Sequence, residues 1–362
     1  MDRTRRRERC AQIHERAKVL IREAQLLLPI IVLCLVANDA RVDGQQLRDV
    51  FRSVQPTVVI VRTEHMDLAP FPQEGLVSSD GLGSGVLISN DRVLTAAHLV
   101  QSADKTTVEF SSGEIIPANI IGCSLSADVA LLQLERTPAN SVVAKLGDSD
   151  EIAVGDEIFV VGAPYGISNT LTAGHISARR SLKTKNQIAI EFLQTDAAVN
   201  SGNSGSPVFN MKGEIVGIVS NIMSKSGGSE GLAFAATSNT ARHFLLDQKP
   251  VWTGIEGLLV DGSLARALNL PQPAGLLVQR VAEGSMAARC RLRPGTLRAT
   301  VEGEGIILGG DVILAVNGID VNSEASFDQI YGEMTKTKSG DNLVITIFRQ
   351  GRALNLLIPN AK

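Results

Sequence analysis

From about Val50 onward the chain is a succession of short apolar runs broken by turn residues. "PTVVIVRT", "GSGVLIS", "RVLTAAHLV", "TTVEF", "VALLQLE", "EIFVVGAP", "IAIEFLQT", "SPVFN", "EIVGIVSNI" and "GLAFAAT" are each strand-sized, with Gly, Asn, Asp and Ser between them. Runs of that length at that spacing suit an all-β barrel or sandwich. One segment breaks the pattern. "TSNTARHFLLDQK", Thr237 to Lys249, sets Ala241, Phe244 and Leu245 at helical spacing behind a Ser238 or Asn239 cap. That helix closes a first domain over residues 41–249. Pro250 marks a linker, and "GIEGLLV", "AGLLVQRV", "GGDVILAVNG" and "NLVITIFRQ", with a helical pattern at Phe327 to Met334, form a small α+β module over 250–362.

Residues 1–40 follow different rules. "MDRTRRRERC" is arginine-rich, and "LLLPIIVLCLVA", Leu26 to Ala37, is mostly apolar. Its length is short of the roughly 20 residues a full span needs and matches a signal-peptide core. An uncleaved membrane anchor is the second reading, because the charged lead is long and "ANDA" is only a passable cleavage site. A buried core helix is disfavoured by the arginine flank. Positive charge ahead of the apolar run keeps that end in the cytoplasm and sends the rest across.

Net charge is −3, which excludes a domain that depends on nucleic-acid phosphates. The four cysteines, Cys10, Cys34, Cys123 and Cys290, form no CxxC or Cys/His cluster, so no metal and no cofactor is expected.

The chemistry concentrates in "DAAVNSGNSGSP", Asp196 to Pro207. Ser204 sits there between Asn203 and Gly205, two places after Gly202. A serine hydroxyl becomes a nucleophile only when a base takes its proton. Of the five histidines, His98 stands out, ending the run "RVLTAAH" beside Ala96 and Ala97. A carboxylate must hold that ring, and Asp128 in "SADVALLQL" starts an apolar strand, where it would be costly without a partner. Gly202 can turn its N–H and that of Ser204 toward one developing oxyanion. A nucleophile elbow is excluded, since "GNSGS" lacks the final glycine and only His243 follows Ser204.

"TAAHLV", "SADVALLQL" and "QTDAAVNSGNSGSPVFN" resemble the catalytic motifs of the HtrA/Deg family of trypsin-like serine proteases. "VGAPYGISNTLTAGHISA" extends the match, and "GLLVQRVAEGSMAARCRLRPG" with "GGDVILAVNGIDV" resembles that family's PDZ domain. The resemblance implies a mainly β fold, a trypsin-like double β-barrel followed by one PDZ domain, of the single-PDZ, DegS-like type. It implies Ser204 as nucleophile, His98 as general base and Asp128 as its orienter, with Gly202, Asn203 and Ser204 forming the oxyanion hole. The PDZ carboxylate loop falls on Trp252, Thr253, Gly254 and Ile255, and a peptide adds beside Ile255 to Leu258, with Ile330 and Met334 on the far wall.

Further expectations follow from the resemblance. Ala198, six residues before Ser204, falls at the base of the primary pocket, with Leu232 and Phe234 on its wall. Such a pocket takes small or medium aliphatic residues. Asp196 is expected to be structural. Asn203 cannot pair with a freed N-terminus, so activation is expected by loop rearrangement, with Arg179 and Arg180 relaying to the PDZ. The function implied is a serine endopeptidase of quality control or regulated proteolysis, active on unfolded, signal-bearing or membrane-associated proteins and modulated by peptide C-termini. A homotrimer is implied, in the periplasm and anchored in the inner membrane if the leader is retained, or else in the mitochondrial intermembrane space. The sequence departs from the family at Ser206, where glycine is usual, and this leaves a catalytically weak chaperone or PDZ adaptor as the alternative.

Overall fold

The computed structural model of the protein describes residues 44–69, 75–139, 141–167, 169–183, 189–222, 229–301, 303–337 and 341–359. The signal or anchor segment expected over 1–40 lies outside them. Residues 44–54 form helix α1. From Ser53 to Lys362 the chain forms one contact unit.

Six strands make a first closed barrel: β1 (Val58–Leu68), β2 (Leu76–Ser89), β3 (Arg92–Thr95), β4 (Lys105–Glu109), β5 (Ile115–Ser124) and β6 (Val129–Leu134), in the order β1-β2-β3-β6-β5-β4. Between β3 and β4 lies a single helical turn, α2 (Ala97–Val100). Closure removes the free edges that an open sheet would expose. Alternation in the sequence becomes alternation of burial. In β5 the side chains of Ile116, Ala118 and Ile120 face the core, which they share with Val59, Val61, Leu87 and Leu132.

The second sheet contains β7 (Lys145–Leu146), β8 (Glu157–Gly162), β9 (Thr170–Lys183), β10 (Ala189–Thr195), β11 (Pro207–Asn210), β12 (Glu214–Ile222) and β13 (Ala233–Thr237). Its order is β11-β8-β9-β10-β13-β12-β7, and a β11–β12 pairing closes it into a second barrel. Ile158, Val160, Leu193, Val208 and Val216 fill its interior. Helix α3 (Ser238–Leu245) then packs Ala241, Phe244 and Leu245 inward. Its cap is Thr237, one residue before the expected Ser238. The Thr237 hydroxyl accepts the Thr240 N–H, while Ser238 Oγ is drawn away to donate to the Gly147 carbonyl.

The third module comprises β14 (Ile255–Val260), α4 (Gly262–Ala267), β15 (Gly275–Val281), α5 (Met286–Arg289), β16 (Leu297–Val301), β17 (Glu304–Leu308), β18 (Val312–Val316), β19 (Ile319–Asp320), α6 (Glu324–Lys336), β20 (Asn342–Arg349) and β21 (Arg352–Pro359). Its main path is β14-β15-β18-β20-β21, and β16–β17 form a separate hairpin. Helix α6 covers the expected Phe327–Met334 pattern and lays Ile330 and Met334 into the module core. The fold is a trypsin-like double β-barrel followed by a PDZ-type module.

The module contacts the first barrel and helix α3 through polar and ionic bonds. Cys123 N–H donates to the Val251 carbonyl at 2.9 Å. Arg280 bridges Asp67 at 2.7 Å and Glu256 at 2.9 Å. On α6, Tyr331 Oη donates to the Phe244 carbonyl at 3.0 Å.

Candidate active site

Asp128 ends the tight turn before β6 with φ of 51°, a left-handed conformation that aspartate tolerates better than most residues. That turn aims its carboxylate at α2. One oxygen accepts the His98 main-chain N–H at 3.0 Å, and the ring Nδ1 lies 3.0 Å from Oδ1 and 2.9 Å from Oδ2. A carboxylate only accepts, so Nδ1 carries the proton and Nε2 is left with its lone pair. Ser220 Oγ on β12 donates to Oδ2 from the second barrel. The carboxylate is thus held from two barrels and three donors. Behind it, burial and the Asp128 charge push the Cys123 thiol upward, so it remains protonated and inert.

Ser204 lines the same cavity as His98 and Asp128. No hydrogen bond joins Ser204 Oγ to the ring here, and bonds of this type often close only when substrate is seated. Gly202 has φ of +94°, and a Cβ there would lie 2.5 Å from the Ala163 carbonyl oxygen and 2.8 Å from Tyr165 N. Both backbone shape and space therefore demand glycine. The Ser201 carbonyl accepts the Tyr165 N–H at 3.0 Å. In a trans peptide the following N–H points the opposite way, so the Gly202 amide is turned from that contact. Among the described residues neither the Gly202 nor the Ser204 N–H has a protein acceptor. Ser84 on β2 fixes this loop from the first barrel. Its hydroxyl donates to the Gly202 carbonyl at 2.8 Å and accepts the Ala163 N–H at 3.0 Å, and its own N–H donates to the Ser204 carbonyl at 2.8 Å.

The cavity is about 650 Å³ and open. Phe192, Val199 and Ile222 make one wall apolar, while Leu125 and Ser126 border the acid side. Residues 83–218 match the trypsin-like peptidase domain family. A probable periplasmic serine endoprotease, DegP-like, of Pseudomonas putida strain GB-1 is 37% identical over 286 residues, covering 77% of this chain and 55% of the relative. A probable periplasmic serine protease, do/HhoA-like, of Haemophilus influenzae is 36% identical over 282 residues, covering 75% of this chain and 56% of the relative. The chain thus spans about half the length of these curated relatives. A solved structure of the HtrA-type protease AlgWS227A with a decapeptide superposes with a TM-score of 0.51 at 28% identity, covering 86% of this chain and 96% of that one.

The chain belongs to the HtrA/Deg family of trypsin-like serine proteases.

Against that HtrA/Deg background, the residues singled out in the sequence distribute as follows. His98, Asp128 and Ser204 meet at one cavity. Ala198 is exposed, Leu232 is 40% exposed, and neither these nor Phe234 line that cavity; Phe192, Val199, Asn200 and Ile222 do. Asp196 Oδ1 accepts the His175 N–H at 2.6 Å. Ser206 is fully buried but its φ is not positive, and just before β11 its N–H closes a turn onto the Asn203 carbonyl while its carbonyl accepts the Val219 N–H. Its hydroxyl has no partner and lies 2.1 Å from where a Cβ on Gly162 would be, so the serine fits because position 162 is glycine.

Arg179 pairs with Glu191, Nε to Oε1 at 3.0 Å and Nη2 to Oε2 at 2.5 Å, and donates to the Ser149 and Ile152 carbonyls. Arg180 reaches Gln194 at 3.3 Å. In the PDZ-type module Trp252 packs on the first barrel's core, Gly254 has φ of +71°, and Ile330 and Met334 are core residues. Sequence reasoning missed Ser220 and Ser84. Both sit in ordinary-looking strand runs, where nothing in the pattern separates a donor from a filler.

Proposed function

We propose that this chain is a serine endopeptidase of protein quality control or regulated proteolysis. The observation that carries the reading is the His98 ring held at Asp128 by its Nδ1 face, with Ser204 on the same cavity. Ser204 attacks the scissile carbonyl, His98 takes its proton and later gives it to the leaving amine, and Asp128 stabilises the imidazolium. The amides of Gly202, Asn203 and Ser204 form the oxyanion segment, with the Gly202 and Ser204 N–H groups as donors. The wall of Phe192, Val199 and Ile222 offers no carboxylate to a basic side chain and favours small or medium aliphatic residues before the cut. Ala198 at the base of the primary pocket, with Leu232 and Phe234 on its wall, remains part of the proposal.

The domains proposed are 1–40 as signal or anchor, 41–249 as protease and 250–362 as PDZ. The PDZ captures peptide C-termini at Trp252 to Ile255, between β14 and the face of α6 carrying Ile330 and Met334, and so modulates activity. Arg179 and Arg180 are the proposed relay. The names of the relatives support a periplasmic location; unfolded or membrane-associated proteins are the proposed substrates, and a homotrimer, as the family resemblance implies, the proposed assembly. The adaptor alternative drew on Ser206, whose backbone is unstrained here, so the geometry lends it no weight.

Casein digestion together with a fluorophosphonate serine probe tests the activity. Cleavage and labelling are expected, both lost in Ser204→Ala by at least about 10⁴-fold in kcat. Labelling that persists in Ser204→Ala would sink the assignment.

A further inference from the structure

The segment that follows His98 runs directly into the PDZ-type module. Helix α2 ends at Val100, and the Gln101 N–H donates to the Ala97 carbonyl at 2.9 Å. The Gln101 side chain is buried and reaches the WTGI loop, where Nε2 donates to the Ile255 carbonyl at 2.8 Å and to Thr253 Oγ1 at 3.2 Å. The Gln101 carbonyl accepts from Trp252 Nε1 at 2.9 Å. One residue on, Ser102 Oγ donates to Glu256 at 2.9 Å.

Strand β14 is the outer strand of its sheet. The Gly254 carbonyl is taken by the Ala282 N–H at 2.8 Å, just beyond β15. Ile255 stands opposite Val281, and the Ala282–Gly254 bond beside them makes theirs a non-hydrogen-bonded pair, so the Ile255 carbonyl points away from β15 to the open edge. An extended peptide that adds to such an edge donates a main-chain N–H to that carbonyl. Gln101 already occupies it. The amide orientation is fixed, because the reverse would set Oε1 against the Ile255 oxygen. The remaining oxygen, Oε1, is buried with no partner. A buried unsatisfied acceptor weakens the contact, and a peptide donor that freed Gln101 to hydrate would remove that penalty.

We propose that Gln101 is an internal ligand of the PDZ edge strand: its side-chain amide holds the Ile255 carbonyl that a bound peptide would take, so peptide capture and docking of the module on the first barrel exclude one another. The inference rests on the reading of β14 as a peptide-binding edge. Its consequence is local to the base and acid. Docking holds the chain three residues after His98 through Gln101, and the strand leading to the Asp128 turn through Cys123 and Val251. Peptide capture releases the first of these.

The chain contains one tryptophan, Trp252, which reports docking directly. The test uses the full chain with Ser204→Ala to prevent digestion, alone and combined with Gln101→Ala or Gln101→Glu. Fluorescein-labelled decapeptides with free C-terminal Val, Leu or Phe are titrated by polarisation, and Trp252 emission is followed with the unlabelled peptides. Both Gln101 variants are expected to bind about fivefold tighter, the weight of one ordinary hydrogen bond. In the chain with Gln101 intact, saturating peptide is expected to shift Trp252 emission to the red as the indole leaves the barrel. Gln101→Glu removes the donor while keeping size, and so stands if Gln101→Ala folds poorly. Equal affinities with and without Gln101, or peptide saturation with unchanged emission, overturn the internal-ligand proposal and leave peptide capture intact. Failure of every form to bind overturns peptide capture itself, and the proposal with it.

Discussion

Ser220 donates to the same carboxylate oxygen that lies 2.9 Å from the His98 ring, so three groups on two barrels fix one carboxylate. Removing that donor leaves Asp128 freer to turn without touching the cavity's apolar wall. A hydrogen bond to a charged group is worth about 1.5–3 kcal/mol. Ser220→Ala is therefore expected to lower kcat roughly tenfold with KM nearly constant, read by steady-state kinetics on a peptide substrate. A rise in KM alone would show that Ser220 serves binding instead. The pair of Ser206 and Gly162 makes a second residue-scale prediction. A methyl on Gly162 meets Ser206 Oγ, so Gly162→Ala should cost about 1–3 kcal/mol by overpacking. Adding Ser206→Gly should recover part of that loss in a denaturant melt, whereas strict additivity would mean that the two positions do not share space.

At the scale of elements, β9 and β10 are joined by Arg179 and Glu191, and the same guanidinium satisfies two carbonyls around the 3-10 turn at Ser149–Glu151. Glu191 raises the Arg179 pKa, the direction expected for a cation beside a carboxylate. Arg179→Ala leaves those carbonyls without their donor. A loss of about 1–2 kcal/mol is expected after solvent screening, measured by thermal unfolding. The same variant decides the relay role proposed for Arg179. A destabilised enzyme that still answers to peptide would confine Arg179 to the second barrel.

At the scale of the whole molecule, α6 brings Asp328 against Ser126, two residues before Asp128. Burial there raises the Asp328 pKa above its ordinary 3.8, and the Ser126 hydroxyl lowers it by less. A carboxyl whose folded pKa is raised binds its proton more tightly folded than unfolded. Its contribution is full below 3.8 and is lost as pH climbs through the raised value. Asp328→Asn keeps a polar partner for Ser126 and carries no charge. Calorimetry should find its unfolding temperature above that of the parent at pH 7 and equal to it at pH 3. No gain at pH 7 would mean that docking does not desolvate the carboxyl.

The short apolar runs and the turn residues between them by themselves determined that the chain is built of strands in a barrel or a sandwich, because side chains on a strand must sort to two faces, and only the closed pairing decided for barrels. The small-residue loop, the TAAH run and the strand-initial aspartate likewise singled out Ser204, His98 and Asp128, which the structure brings to one cavity. Each residue type at its place has few other uses. The fold decided the rest. Ser220 and Ser84 acquire their roles only because one barrel is closed against the other. The cavity wall of Phe192, Val199 and Ile222 draws on β10, the loop before Ser204 and β12, which only the folded second barrel brings together. The pairing of Gln101 with Ile255 joins positions 154 residues apart, and such contacts exist only once both domains have folded and met.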